Sequence, residues 1–190
     1  MDAEIIAAIA LGIGLAASAG FRVFIPMLVA SIAAHFGLFP AQESFMWLGS
    51  WPAMICFGTA TVIEIAAYYI PFVDNLLDNI TIPMSVGAGT LLLTSVLPID
   101  DNMLKWLTGF IVGGGAAATI QSGTVLARLS STSTTGGLAN SVIATGENAA
   151  AIGASLLSLV IPLIMVSTLL LFVITILVVF RKRIFRKKRI

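Results

Sequence analysis

The chain has 190 residues, is 58% hydrophobic and only 10% charged, and contains one cysteine. Soluble domains average about 45–50% apolar and about 25% charged residues, so a mean hydropathy of +1.06 excludes an ordinary water-soluble globule. Cys56 alone cannot staple a disulfide scaffold, and disorder needs the opposite composition. The formal charge of +1 hides an asymmetry: seven of the ten basic residues fall in 181–190. Arg22, Lys105 and Arg128 then stand against nine carboxylates, so the rest of the chain is net −6. The expectation is an all-α, polytopic membrane protein with one transmembrane domain over 1–180 and a basic tail over 181–190. The positive-inside bias places that tail, and with it the C-terminus, on the cytoplasmic side of the membrane. Anionic lipid headgroups suit the tail, whereas nothing around it reads nucleic-acid bases.

A membrane-crossing helix needs about 20 apolar residues. Between Ile5 and Ala34 the only ionisable residue is Arg22, close to Gly20 and Pro26. Such a run is too long for one span and easiest to break there. It reads as a span over about 3–19 and a shorter segment over 23–36, short enough to be re-entrant. The acidic leader Asp2-Ala3-Glu4 argues against a signal peptide. Residues 37–47 form a polar-leaning connection, with Phe45, Trp47 and Trp51 as an interfacial aromatic cluster. A span over 51–72 follows, interrupted by Glu64 and closed by Tyr68, Tyr69 and Pro71.

Asp74 and Asp78 share one helical face and Leu76 and Leu77 another, which suits a short helix lying in the interface. Residues 82–97 begin with Pro83 in a first-turn position and are marginal for crossing. A span over 103–129 carries Gly113-Gly114-Gly115, where another helix can come close. Ser130 to Gly137 is the most polar uncharged stretch, read as either an ion-binding helix end or an exposed loop. Residues 140–180 hold Glu147 as their only charge and are twice as long as a bilayer needs, so a division is expected near Gly153 or Pro162. The total is five to seven membrane segments, some broken or re-entrant. A loose echo of residues 14–19 in 114–119 leaves an inverted repeat open, each half running through an arginine to a span with one acid.

Ionisable groups cost at least ~2.5–3.5 kcal/mol at mid-membrane, so they mark functional candidates. Arg22 and Arg128 would meet an anionic group, with Gln121, Ser122, Thr124 and Asn148 supplying polar contacts. Glu64 and Glu147 would couple to a proton or another cation across a polar cavity. The bland alternative is Arg–Glu pairing that fixes helix register. Asp74 and Asp78 suit a hard cation or a purely structural role. His35 is solitary, and Cys56 reads as a packing residue. No catalytic, phosphate-loop, dinucleotide or zinc motif appears, so no cofactor, metal or enzymatic activity is expected.

The stretches GLAASAGFRVFIP (14–26), PFVDNLLD (71–78) and ATIQSGTVLARLSSTSTTGGLANSVIATGEN (118–148) resemble the bacterial membrane family known as domain of unknown function 4126. The resemblance covers nearly all of the chain before the basic tail. It implies that Arg22, Asp74, Asp78, Arg128 and Glu147 belong to the family's pattern, and it assigns them no task. From the residues, the expected activity is carriage of a small polar or anionic solute, driven by protons or a cation. Lipid binding or translocation, and a non-transporting scaffold, stay open. The expected partners are membrane lipids and the solute, and a homo-oligomer stays open.

Overall fold

The computed structural model describes residues 3–70 and 73–168, with 171, 174 and 175, and places no strand among them. Helix α1 spans Ala3–Ser18 and α2 spans Phe24–His35. A 3-10 turn, Glu43–Gly49, leads into α3, Trp51–Tyr68, and then α4, Val73–Thr94. Helix α5 (Asn102–Thr108) continues through a π-helical turn (Gly109–Gly114) into α6 (Gly115–Thr135), and α7 spans Asn140–Val160. Four helical stretches are long and apolar enough to cross a membrane: α3, Leu76–Thr94 of α4, the continuous Asn102–Thr135 and α7. Two shorter apolar helices, α1 and α2, accompany them. The protein is a multi-pass α-helical membrane protein.

The break between α1 and α2 falls where Gly20, Arg22 and Pro26 place it. Helix α2 would begin with orphan N–H groups. Val23 and Phe24 donate theirs to Glu64 Oε1 and Oε2 at 2.8 and 3.0 Å, and Pro26 has none to satisfy. The two short helices form a hairpin. Gly12 lies against Leu93 and Val96 near the end of α4, and Gly20 lies against α6 at Ala117 and Gln121. The chain then returns until His35 Nδ1 meets the Gly49 carbonyl oxygen, just before α3, at 2.8 Å. Both open ends of the hairpin therefore sit at the end of the bundle where α3 begins and α4 finishes. Its tip lies near the opposite end.

Several expectations change here. Asp74 to Asn79 is the start of a continuous α4 rather than a separate interfacial helix, and Pro83 lies inside that helix. The acidic face points inward: Asp74 and Asp78 are buried while Leu76 is exposed. A lipid-facing leucine loses nothing in a bilayer, whereas a carboxylate there needs a partner. Ser130 to Thr135 are helical, and α6 ends only at Gly136, whose φ of 64° suits a residue without a side chain. The division after α7 comes at Ile161, beside Pro162, and the small-residue segment runs past Gly153 to Val160. Phe45 is buried, with its ring 5.9 Å from that of Trp106, while Trp47 and Trp51 remain exposed. Cys56 is exposed among outward-facing residues, not packed. Much of the final span beyond Thr168 and the basic tail 181–190, with its expected cytoplasmic side, lie outside the described residues.

The core joins α1 to α4 and the start of α6 through Leu15, Ala16, Leu92, Leu93, Val96 and Ala117. A Cβ built on Gly113 would come within 3.0 Å of the Gly89 carbonyl carbon, so the two backbones touch. The glycine run that weakens an isolated helix serves here as a contact surface.

Candidate functional site

Five elements bring polar side chains together near the hairpin tip. Arg22 comes from the break, Tyr68 from the last turn of α3, Asp78 from α4, Arg128 from α6 and Glu147 from α7. Glu147 lies seven residues, about 10 Å, inside its helix. Glu147 Oε2 stands 2.9 Å from Arg22 Nη1 and 2.7 Å from Arg128 Nη1, so one oxygen serves two guanidiniums. Asp78 Oδ1 stands 2.7 Å from Arg128 Nη2. This last pair is a charge contact without hydrogen-bond alignment, for neither atom has a hydrogen-bond partner among the described residues. Glu147 Oε1 and Arg128 Nε are likewise buried and unpartnered. Two cations face two anions, and both arginines are 1% exposed.

Tyr68 holds the centre. The Arg22 and Arg128 Cζ atoms lie 3.7 and 4.5 Å from its ring centroid, close enough for cation–π attraction to both. That attraction offsets part of the repulsion between two guanidiniums sharing one carboxylate. The Tyr68 hydroxyl pairs with Thr81 Oγ1 at 3.1 Å, and Gln121 Nε2 donates to the same oxygen at 3.0 Å. Thr124 Oγ1 donates to the Gln121 carbonyl.

On the other flank Arg22 Nε donates to Asn148 Oδ1 at 2.6 Å, and Arg22 Nη2 donates to the Ala144 carbonyl at 3.3 Å. Asn148 Nδ2 donates to the Tyr69 hydroxyl at 3.5 Å, and that hydroxyl pairs with Thr145 Oγ1 at 2.8 Å. Tyr69 and Thr145 are exposed, so this flank is where the buried cluster comes nearest to the surface.

Of the residues singled out in the sequence, Arg22, Arg128, Glu147, Asp78 and Asn148 meet directly, with Gln121 and Thr124 in a second layer. Ser122 is exposed and donates to the Ala118 carbonyl of its own helix, so it points away. Glu64 commits both oxygens to the start of α2, which makes it the cap of the break rather than a member of the paired cluster. Asp74 Oδ2 accepts from Asn140 Nδ2 at 2.9 Å, one turn beyond Asp78. No group of three His, Cys, Asp or Glu side chains among the described residues could hold a metal ion. The pairing also cuts across the loose repeat, since both arginines use the acid of the second half. Sequence reasoning missed Tyr68, read only as part of the close of its span. Thr61, Glu64 and Tyr68 share one buried face of α3, a signal that was available.

The match to the family model named "Domain of unknown function (DUF4126)" runs over residues 9–182. The chain belongs to the DUF4126 family. The matched region contains every member of the paired cluster and stops just inside the basic tail. No curated protein and no solved structure matches. For this DUF4126 protein the arrangement of charges is therefore the main guide to chemistry.

Proposed function

We propose that this protein is a carrier of the inner membrane for a small anionic solute, coupled to protons. Arg22 and Arg128 meet the anion and Glu147 carries the proton. The observation that supports this reading most is the sharing of Glu147 Oε2 by both guanidiniums, with Glu147 Oε1 and Arg128 Nε left unpartnered. An arriving anion competes with Glu147 for the same donors. Once its arginines turn to the solute, Glu147 becomes an uncompensated buried carboxylate, and a proton neutralises it at least cost. Solute and proton then occupy the site together, which is coupling by exchange of partners.

Purified protein in proteoliposomes tests this with radiolabelled inorganic phosphate, acetate and dicarboxylates under an imposed pH gradient. Uptake should follow the gradient, vanish in Arg22→Ala and lose its gradient dependence in Glu147→Gln. Ordinary uptake in both variants, or none of any anion in the unaltered protein, overturns the reading.

One observation favours a second reading, a non-transporting scaffold. The four charges balance and close on one another, and a cleft of about 470 Å³ lies elsewhere, beside Phe45, Trp47, Lys105 and Trp106. Replacing a buried ion pair with apolar residues is often neutral or stabilising. If the double variant Arg22→Leu, Glu147→Leu keeps both assembly and cellular phenotype, the scaffold reading prevails.

A further inference from the structure

At the end of the bundle where α3 begins and α4 finishes, the chain builds a hollow that the paired cluster does not use. A cleft of about 470 Å³ opens between the 3-10 turn, the end of α4 and α5, with Ser44, Phe45, Trp47, Asn102, Lys105 and Trp106 around it. That size falls within the range of about 300–1,000 Å³ usual for small-molecule sites. Both walls are fixed. Gln42 N–H donates to the Ser95 carbonyl at 2.8 Å, which ties the turn to the end of α4. Leu48 is fully buried, and the Phe45 ring lies 5.9 Å from that of Trp106. On the opposite wall Asp101 caps α5: its Oδ1 accepts from Leu104 N–H at 2.8 Å, and its carbonyl accepts from Lys105 N–H at 2.9 Å.

The cleft stands at headgroup level. Asn102 begins a continuous helical stretch of 34 residues, about 51 Å long against a hydrocarbon core of about 30 Å. All three tryptophans of the chain, Trp47, Trp51 and Trp106, gather at this end and are exposed, as at a membrane boundary. Lys105 is half-buried there, in the first turn of the stretch. Among the described residues nothing pairs with its ammonium, since the cation–π contacts and ion pairs all belong to the arginines. Ser44 and Asn102 bring a hydroxyl and an amide to the same cleft. Glu43, Asp100 and Asp101, beside them in the chain, are exposed. A lysine near a helix end reaches out to water on its own account, but that does not explain a hollow with two neutral polar groups around it.

We propose that this cleft binds the headgroup of a zwitterionic membrane phospholipid, whatever the paired cluster does. Lys105 Nζ meets the phosphate, Ser44 and Asn102 donate to its remaining oxygens, and the acyl chains stay in the bilayer. Trp47 and Trp106 flank the glycerol, where an amphipathic ring suits a boundary between apolar chains and water. The order of charges selects the class. In such a headgroup the ammonium lies on the water side of the phosphate. The cation of this site is half-buried in the cleft, and the three carboxylates near it are exposed. Phosphate inside and ammonium outside therefore meet opposite charges. An anionic phospholipid offers the same phosphate and leaves the carboxylates facing a like-charged lipid.

Native mass spectrometry of the purified protein, in micelles carrying equal amounts of phosphatidylethanolamine and phosphatidylglycerol, tests the site. The unaltered protein should retain one phosphatidylethanolamine at least about tenfold more often than phosphatidylglycerol. Lys105→Met should lower that retention at least about tenfold, through loss of a charge-assisted hydrogen bond, and Lys105→Arg should keep it. Asn102→Ala, which removes an uncharged group from the cleft, should lower it in the same direction and reads the site if Lys105→Met does not assemble. Equal retention of the two lipids, retention indifferent to Lys105→Met and Asn102→Ala, or no retained phospholipid overturns the proposal. Free phosphoethanolamine at the same concentration separates the headgroup from the lipid. Bound lipid that stays in place supports a membrane occupant, whereas its displacement would make a soluble phosphate ester the occupant and overturn the lipid assignment.

Discussion

Around Tyr68 the helices meet through charge: two arginines, two carboxylates and a ring between them. Further along the same helices, around Gly89 and Gly113, they meet through bare backbone and apolar side chains. In lipid, apolar side chains gain little by leaving one apolar environment for another, so close van der Waals approach and polar contacts drive association. The two regions use one each. The glycine region tolerates no added atom, and the charged region tolerates no missing partner.

Breaking the charged region should have the larger effect. Glu147→Ala leaves two guanidiniums facing each other without their shared counter-ion, and removal of one partner of a buried pair costs about 3–5 kcal/mol. Reversible unfolding in mixed micelles measures it, and a loss under about 1 kcal/mol would mean that Asp78 and Tyr68 alone hold the arginines. Gly113→Val attacks the other region, where the new side chain meets the Gly89 backbone and neither can yield. Overpacking of this kind costs about 1–3 kcal/mol, and the same unfolding assay should place it below Glu147→Ala. Adjacent positions on α6 then sharpen the boundary of the cluster. Gln121→Leu removes a buried bond to Thr81 and should cost about 1 kcal/mol. Ser122→Ala, on the exposed face, should stay within about 0.5 kcal/mol of the unaltered protein. Equal effects at 121 and 122 would show that the cluster reaches further round α6 than its hydrogen bonds imply.

The break at Gly20–Arg22, the start of α3 at Trp51 and the division beside Pro162 were all legible, because a bilayer imposes length and polarity limits that a single sequence must obey. The candidates Arg22, Arg128 and Glu147 were legible for the same reason: charge is rare there. The role of Glu64 was not. A lone acid in an apolar span reads alike whether it meets a guanidinium or two backbone N–H groups, and only the position of α2 distinguishes them. Asp74 and Asp78 show a related limit. Their spacing gave the correct face, but periodicity does not say whether that face meets water or protein. Pro83 misled because proline's preference for a first helical turn weakens where neighbouring helices shelter the backbone.

Sequence alone determined that this is a multi-pass α-helical membrane protein of the DUF4126 family with charges placed where a bilayer resists them. Tertiary structure decided which of those charges meet. Arg22 lies 106 residues from Arg128 and 125 from Glu147. Hydropathy acts on local windows of chain, whereas an ion pair depends on distance in space, and helix packing alone sets that distance.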